Sequence, residues 1–173
     1  MATRPAPTAR DKRPTVEPLQ ADEPPARVLR QFRQVFNAVK THFQQVEKQV
    51  GLGGAQVWAL SVIHGRPDIG VGELARAMDI HQSTASNLVK ALAARELVRV
   101  ARHDDDRRSV RLRLAPAGAR LLKRSPGPYA GVLPAALSSL DPKTLKRLEA
   151  DLARLIVELK ADERAGGIPL AEL

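Results

Sequence analysis

The sequence predicts a mainly α-helical fold with one small β-hairpin. Three patterns lead there. Apolar residues recur every three or four positions over a long stretch near each end of the chain, the spacing of one face of a helix. Two shorter helical stretches meet at a tight turn in the middle. Between Val98 and Leu114, two runs instead alternate with period two around a polar, charged centre, the pattern of a hairpin.

The elements follow in chain order. Residues 1–26 hold six prolines, at 5, 7, 14, 18, 24 and 25, and almost no large apolar side chains, so they read as a disordered arm. Its acids and bases cancel; it is a solvated tail or an arm that touches DNA. From Arg27 to Val50 the apolar positions are 28, 32, 35, 36, 39, 43, 46 and 50, one long amphipathic helix. Gly53 to Ile63 reads as a buried helix, ended by Gly65 and Pro67, and Val71 to Met78 and Gln82 to Arg95 as two more. Val98–Arg102 and Ser109–Leu114 pair as the hairpin. Pro116 starts a helix that Pro126-Gly127-Pro128 must interrupt. Asp141 suits an N-cap and Pro142 a first helical position, so a second long helix begins there, with Leu145, Leu148, Leu152, Leu155, Ile156 and Leu159 as its stripe. Two such stripes exceed what one small core needs. They form a dimer interface or pack on each other.

Composition narrows the function. The 173 residues carry 28 Lys and Arg against 19 acids, a net charge of +9. That favours a polyanionic partner, nucleic acid before membrane surface. The absence of cysteine excludes disulfides, thiolate metal sites and thiol nucleophiles. No apolar run is long enough to span a membrane, and the start of the sequence has no apolar leader, so a cytoplasmic protein without a membrane role is expected. No phosphate-binding loop, nucleophile elbow or zinc-protease motif occurs, and the four histidines show no ligand pairing. An enzyme, a cofactor and a metal are not expected. The run Asp104-Asp105-Asp106 lacks the Asx and Gly spacing of a calcium loop.

The central pair carries the chemistry. Val71 to Val98 has helix-turn-helix spacing, with the turn around Asp79 to His81. On the second helix Gln82, Ser83, Ser86, Asn87 and Lys90 share one side, and no acid occurs from Gln82 to Arg95. Asn and Gln pair bidentately with adenine in a major groove, and Lys90 is a candidate phosphate contact. An ordinary exposed face is the alternative, but such faces are rich in Glu–Lys pairs. His81 is either a phosphate contact or a plain exposed side chain. From Arg95 to Arg124 ten basic residues stand against four acids, two thirds of the net charge.

This arrangement, with "DDDRRSVRLRLAPAG" in the hairpin and "STASNLVKALAARELV" before it, resembles the MarR family of dimeric winged helix-turn-helix transcriptional regulators over roughly residues 27–160. The family's wing motif maps onto Asp106, Arg108 and Leu114-Ala115. Ala115 stands where the family has Thr, Glu96 where it often has Gly, and Asn87 where it often has Arg. The resemblance implies a winged helix-turn-helix domain flanked by long dimerisation helices. The chain then divides into the arm (1–26), an N-terminal dimerisation helix (27–52), the DNA-binding domain (53–118), C-terminal dimerisation helices (119–164) and a tail (165–173).

It also implies a homodimer on a pseudo-palindromic duplex, most simply a repressor, with the recognition helix in the major groove. The wing, with Asp106, Arg107 and Arg108, then reaches the minor groove. Arg108 is the candidate minor-groove residue, oriented by Asp106, or the two form an ion pair that holds the turn. Family members often bind a small aromatic or anionic effector. His42 and Trp58 are candidates to line such a pocket, or are ordinary core and helix-surface residues. The rival readings are a winged-helix protein-interaction module and a sequence-independent architectural DNA-binding protein.

Overall fold

The structure is a computed structural model and describes residues 20–102 and 110–172. These form seven α-helices: α1 (Pro24–Val50), α2 (Gly54–Gly65), α3 (Val71–Met78), α4 (Gln82–Ala94), α5 (Pro116–Arg124), α6 (Val132–Ser138) and α7 (Pro142–Leu159). Strands β1 (Val98–Arg102) and β2 (Val110–Leu114) separate α4 from α5, and short 3-10 turns cover Glu163–Gly167 and Leu170–Glu172. None of the described helices is long and apolar enough to cross a membrane.

The chain divides into two units, one ending at Gln34 and the other beginning at Val35. In the first, α1 begins at Pro24, three residues ahead of the expected Arg27. The two prolines fall in the opening turn, where a missing N–H leaves no helical hydrogen bond unmade.

The second unit holds the core, built around α2. Leu52, Val57, Leu60 and Ile63 are fully buried there with Leu74 and Met78 of α3, Leu92 of α4 and Leu112 of β2. Val39 and Val46 of α1 are buried as well. Burial of this set is what stabilises the lobe, at about 1.5–3 kcal/mol for each large side chain removed from water. Glycines permit the closest approaches. A Cβ on Gly54 would run into the Phe43 ring, and one on Gly118 would stand 2.2 Å from the Leu97 carbonyl oxygen.

The ends of the elements are set by their sequence. Glu73 Oε2 accepts from the Gly70 N–H at 2.8 Å, which closes the start of α3. Asp141 caps α7 by accepting from the Lys143 and Thr144 N–H groups, with Pro142 in the first turn, as its sequence predicts. Ala115 caps α5 without a side-chain bond, the loss expected from its replacing Thr, and Pro116 opens the helix. Glu96, at the turn from α4 to β1, has a φ of 57°, the left-handed conformation that glycine adopts freely. The strands pair antiparallel, Val98 opposite Leu114 and Arg102 opposite Val110. Ile69, between α2 and α3, bridges to Leu112 on the far side of β2.

Two elements were not expected. α6 is only seven residues long and carries Pro134, too short for a periodic signal. Residues 163–172, expected as the end of the last helix and a tail, fold back: Pro169 is buried and Ala171 packs on the core.

Candidate nucleic-acid interface

The turn that joins α3 to α4 is built by backbone geometry. Asp79 adopts a left-handed conformation with a φ of 52°. The Ile80 N–H then reaches back to the Ala75 carbonyl at 3.0 Å, satisfying an end carbonyl of α3. The chain leaves in an extended conformation at His81 and enters α4. Ala85, Leu88, Val89 and Leu92 turn into the core. That fixes the opposite face outward: Gln82, Ser83, Asn87 and Lys90 are exposed, and Ser86 is half-buried. The Ser86 hydroxyl donates to the Gln82 carbonyl at 2.9 Å, so its proton is engaged while its lone pairs remain available. No acid lies in the first turn of α4, so none of the helix's own side chains there offsets the positive end of its dipole.

Gln82 and Ser86 share a groove of about 550 Å³ with Glu73 and Arg76 of α3 and with Val110 and Arg111 of β2. The leading end of α4 and the first residues of β2 thus form one continuous surface. Arg76 and Arg111 were not singled out as site residues in the sequence. The available signal was indirect: Leu74, Ala75 and Met78 face inward, which leaves Arg76 outside.

The hairpin alternates as expected. Leu112 is buried, Val110 and Leu114 are half-buried, and Arg111 and Arg113 are exposed. Its base is clamped to the loop before α3. Arg113 donates to both oxygens of the Asp68 carboxylate, Nε at 2.5 Å and Nη2 at 2.6 Å, and Arg111 Nη1 donates to the Asp68 carbonyl at 3.1 Å. The hydrogen bond from Arg113, aided by the charge of Arg111, holds the Asp68 carboxyl below the usual aspartate range; the same bond raises Arg113. A bidentate guanidinium–carboxylate pair fixes orientation as well as distance. It aims the strands that carry the wing. Asp106, Arg107 and Arg108, the expected wing contacts, lie outside the described residues.

Both histidines take the plainer of their two expected readings, His81 as an exposed side chain and His42 as a core residue. His81 offers no free ring edge to a phosphate at its Nε2, which lies 2.8 Å from the Arg164 carbonyl oxygen. His42 does not line a cavity with Trp58. It is buried on α1 with Nε2 bonded to the Pro128 carbonyl at 3.1 Å and its ring edge-on to Phe43. Trp58 does line a cavity, of about 490 Å³, together with Phe43, Met78, Tyr129, Leu133 and Ile168. None of the side chains lining it is Lys, Arg or His.

The comparisons with known proteins agree with this architecture. Residues 50–109, from the end of α1 through the helix-turn-helix to the hairpin, match the model of the MarR family. A protein of Bacillus subtilis described as the uncharacterized HTH-type transcriptional regulator YsmB is 26% identical over 98 residues, 57% of this chain and 67% of that protein. A MepR-like protein solved with pseudoligands superposes with a TM-score of 0.55 at 20% identity, over 77% of this chain and 91% of that one. The S. aureus MepR–DNA complex gives a TM-score of 0.53 at 17% identity, over 80% of this chain and 99% of that one. At such identities the solved structures establish a shared fold. With the helix-turn-helix and the first strand of the hairpin in the region matched, residues 50–109 are similar to the MarR family of winged helix-turn-helix transcriptional regulators, and the fold is that of its solved members.

Proposed function

We propose that the chain is a sequence-specific duplex-DNA-binding regulator that acts as a homodimer on a pseudo-palindromic site, with repression as its mode of action. The observation that carries this reading is the outer face of α4. Gln82, Ser83, Asn87 and Lys90 are exposed on one side of a helix whose other side is locked into the core. A rigid helix presenting short amide and hydroxyl side chains can read base edges, and Arg76 and Arg111 flank it where backbone phosphates would pass. Arg107 and Arg108 would extend the contact into the minor groove, with Asp106 orienting Arg108. S. aureus MepR, which shares the fold, has been solved on DNA.

The dimer rests on α7. None of its residues is buried, although it carries a full apolar stripe. Leu155, Ile156, Val157 and Leu159 are exposed, and Leu137, Leu145, Leu148, Leu152 and Ile156 line an open apolar groove. Contiguous apolar surface of this kind marks an interface. A second copy supplies a partner of matching chemistry, and two-fold symmetry would set the recognition helices about 10 bp apart, centre to centre. The cavity at Trp58 would take a small effector. Its walls are mostly apolar, and the one ionisable acid among them, Asp79, is joined by no base, which favours an aromatic, uncharged ligand over an anion.

Selection from a random duplex pool tests the reading. Recovery of an inverted repeat with half-sites one turn apart is expected. Equal binding of all sequences would favour architectural binding instead, and no salt-dependent binding would favour a protein-interaction module. Sedimentation equilibrium checks the dimer: a monomer at micromolar concentration contradicts it.

A further inference from the structure

The end of the described chain returns to the recognition helix. After α7 closes at Lys160, Asp162 caps the 3-10 turn at Glu163–Gly167 by accepting from the Arg164 N–H. This places two backbone carbonyls on His81, the residue that opens α4. The Arg164 oxygen lies 2.8 Å from His81 Nε2, and the His81 N–H donates to the Gly167 oxygen at 3.3 Å. The fit is close: a Cβ on Gly167 would stand 2.6 Å from His81 Nε2. Pro169 and Ala171 then anchor the segment against the core.

We propose that residues 161–171 are an autoinhibitory strap, docked on the leading end of the recognition helix and displaced when that end meets DNA. The proposal rests on the reading of α4 as the DNA-contacting helix. A helix that enters a major groove leads with its N-terminus, and the residues there meet base edges and adjacent phosphates. In this chain that position is covered by backbone. Asp162 and Glu163, two and one residues from the Arg164 contact, are exposed and bring negative charge to a site that a phosphate would approach. The strap is also lightly held. Residues 161–166 and Ile168 are exposed, so few apolar contacts oppose its release. A segment of this kind lowers the affinity of every DNA complex by the free energy needed to undock it.

Two variants test this: Gly167→Val, whose side chain would collide with the His81 ring, and a chain truncated after Ala161. Both leave the outer face of α4 and the whole of α7 intact. The DNA is a duplex selected from a random pool on the truncated chain, with a scrambled duplex as control. Hydrogen exchange at the His81 amide, the group that donates to Gly167, and at Ala85 is followed without DNA. Faster exchange in both variants is expected, together with affinity for the selected duplex raised about fivefold or more over the wild-type chain, the lower end of ordinary intramolecular coupling. Unchanged exchange would show that the strap does not dock on α4, which overturns the proposal whatever the DNA result. Equal or weaker binding by a folded Gly167→Val chain, while the wild type still prefers the selected duplex, overturns autoinhibition and leaves the DNA reading standing. If no form prefers the selected duplex over the scrambled one, the DNA reading falls and the strap falls with it.

Discussion

Glu96 occupies a backbone position suited to glycine. Its φ of 57° sets a side chain in the left-handed region just where α4 hands over to β1. That conformation costs a non-glycine residue about 1–2 kcal/mol, offset in part by the larger conformational entropy that glycine loses on folding. Glu96→Gly is therefore expected to stabilise the fold by roughly 0.5–1 kcal/mol, seen as a higher urea midpoint at unchanged slope. A second residue-scale prediction concerns Asp68. Its carboxyl lies below the usual range because Arg113 donates to it. The pair's contribution is therefore complete above the ordinary aspartate pKa. It is lost as pH falls through the lowered value in the folded state. Carbon-detected NMR should find Asp68 titrating below an unperturbed aspartate, and Arg113→Gln should return it to the ordinary range. A midpoint at or above that range in the wild type would contradict the clamp.

Among the elements, α5 lies hard against the backbone that leads into β1. Gly118 lies where any Cβ would meet the Leu97 carbonyl, so Gly118→Ala must push α5 away from the start of β1. The expected loss is about 1–3 kcal/mol, measurable by thermal unfolding, and a neutral result would show the crossing to be looser than described. The elements also show what was legible in advance. The limits of α3, α4 and α7 follow from apolar spacing and from the Asp141-Pro142 start, because those signals are local. Strand alternation likewise placed Leu112 inward and Arg111 and Arg113 outward. The Asp68–Arg113 clamp was hidden, since it joins residues 45 apart and nothing in either neighbourhood marks the other. The bonds of His81 were hidden for a related reason: its partners are main-chain carbonyls of residues 164 and 167, which leave no trace in side-chain pattern. His42 was left open between pocket and core because a histidine on an apolar helix face gives no sign whether it faces a cavity or a carbonyl.

For the whole molecule, the outer face of α4 and the apolar stripe of α7 have separate supports. The face of α4 is fixed by burial within the winged-helix lobe, whereas the apolar stripe of α7 is left uncovered by the described chain. Replacing Ile156 by Glu places a charge in that stripe. It should shift sedimentation toward monomer while the helical circular dichroism of the lobe persists. Loss of the dimer would also weaken binding to an inverted repeat far more than to a single half-site.

On the proposed reading, α4 reads bases with its outer face and its flanking cations hold phosphates. The most direct measurement is the affinity of Asn87→Ala and Lys90→Ala for the selected duplex, for single-base variants of it, and across salt concentration. Asn87→Ala should cost about 1–3 kcal/mol and relax preference at one base pair in each half-site; Lys90→Ala should weaken all sequences alike and lower the salt slope by about 1. Wild-type affinity, base preference and salt slope in both variants would contradict the claim.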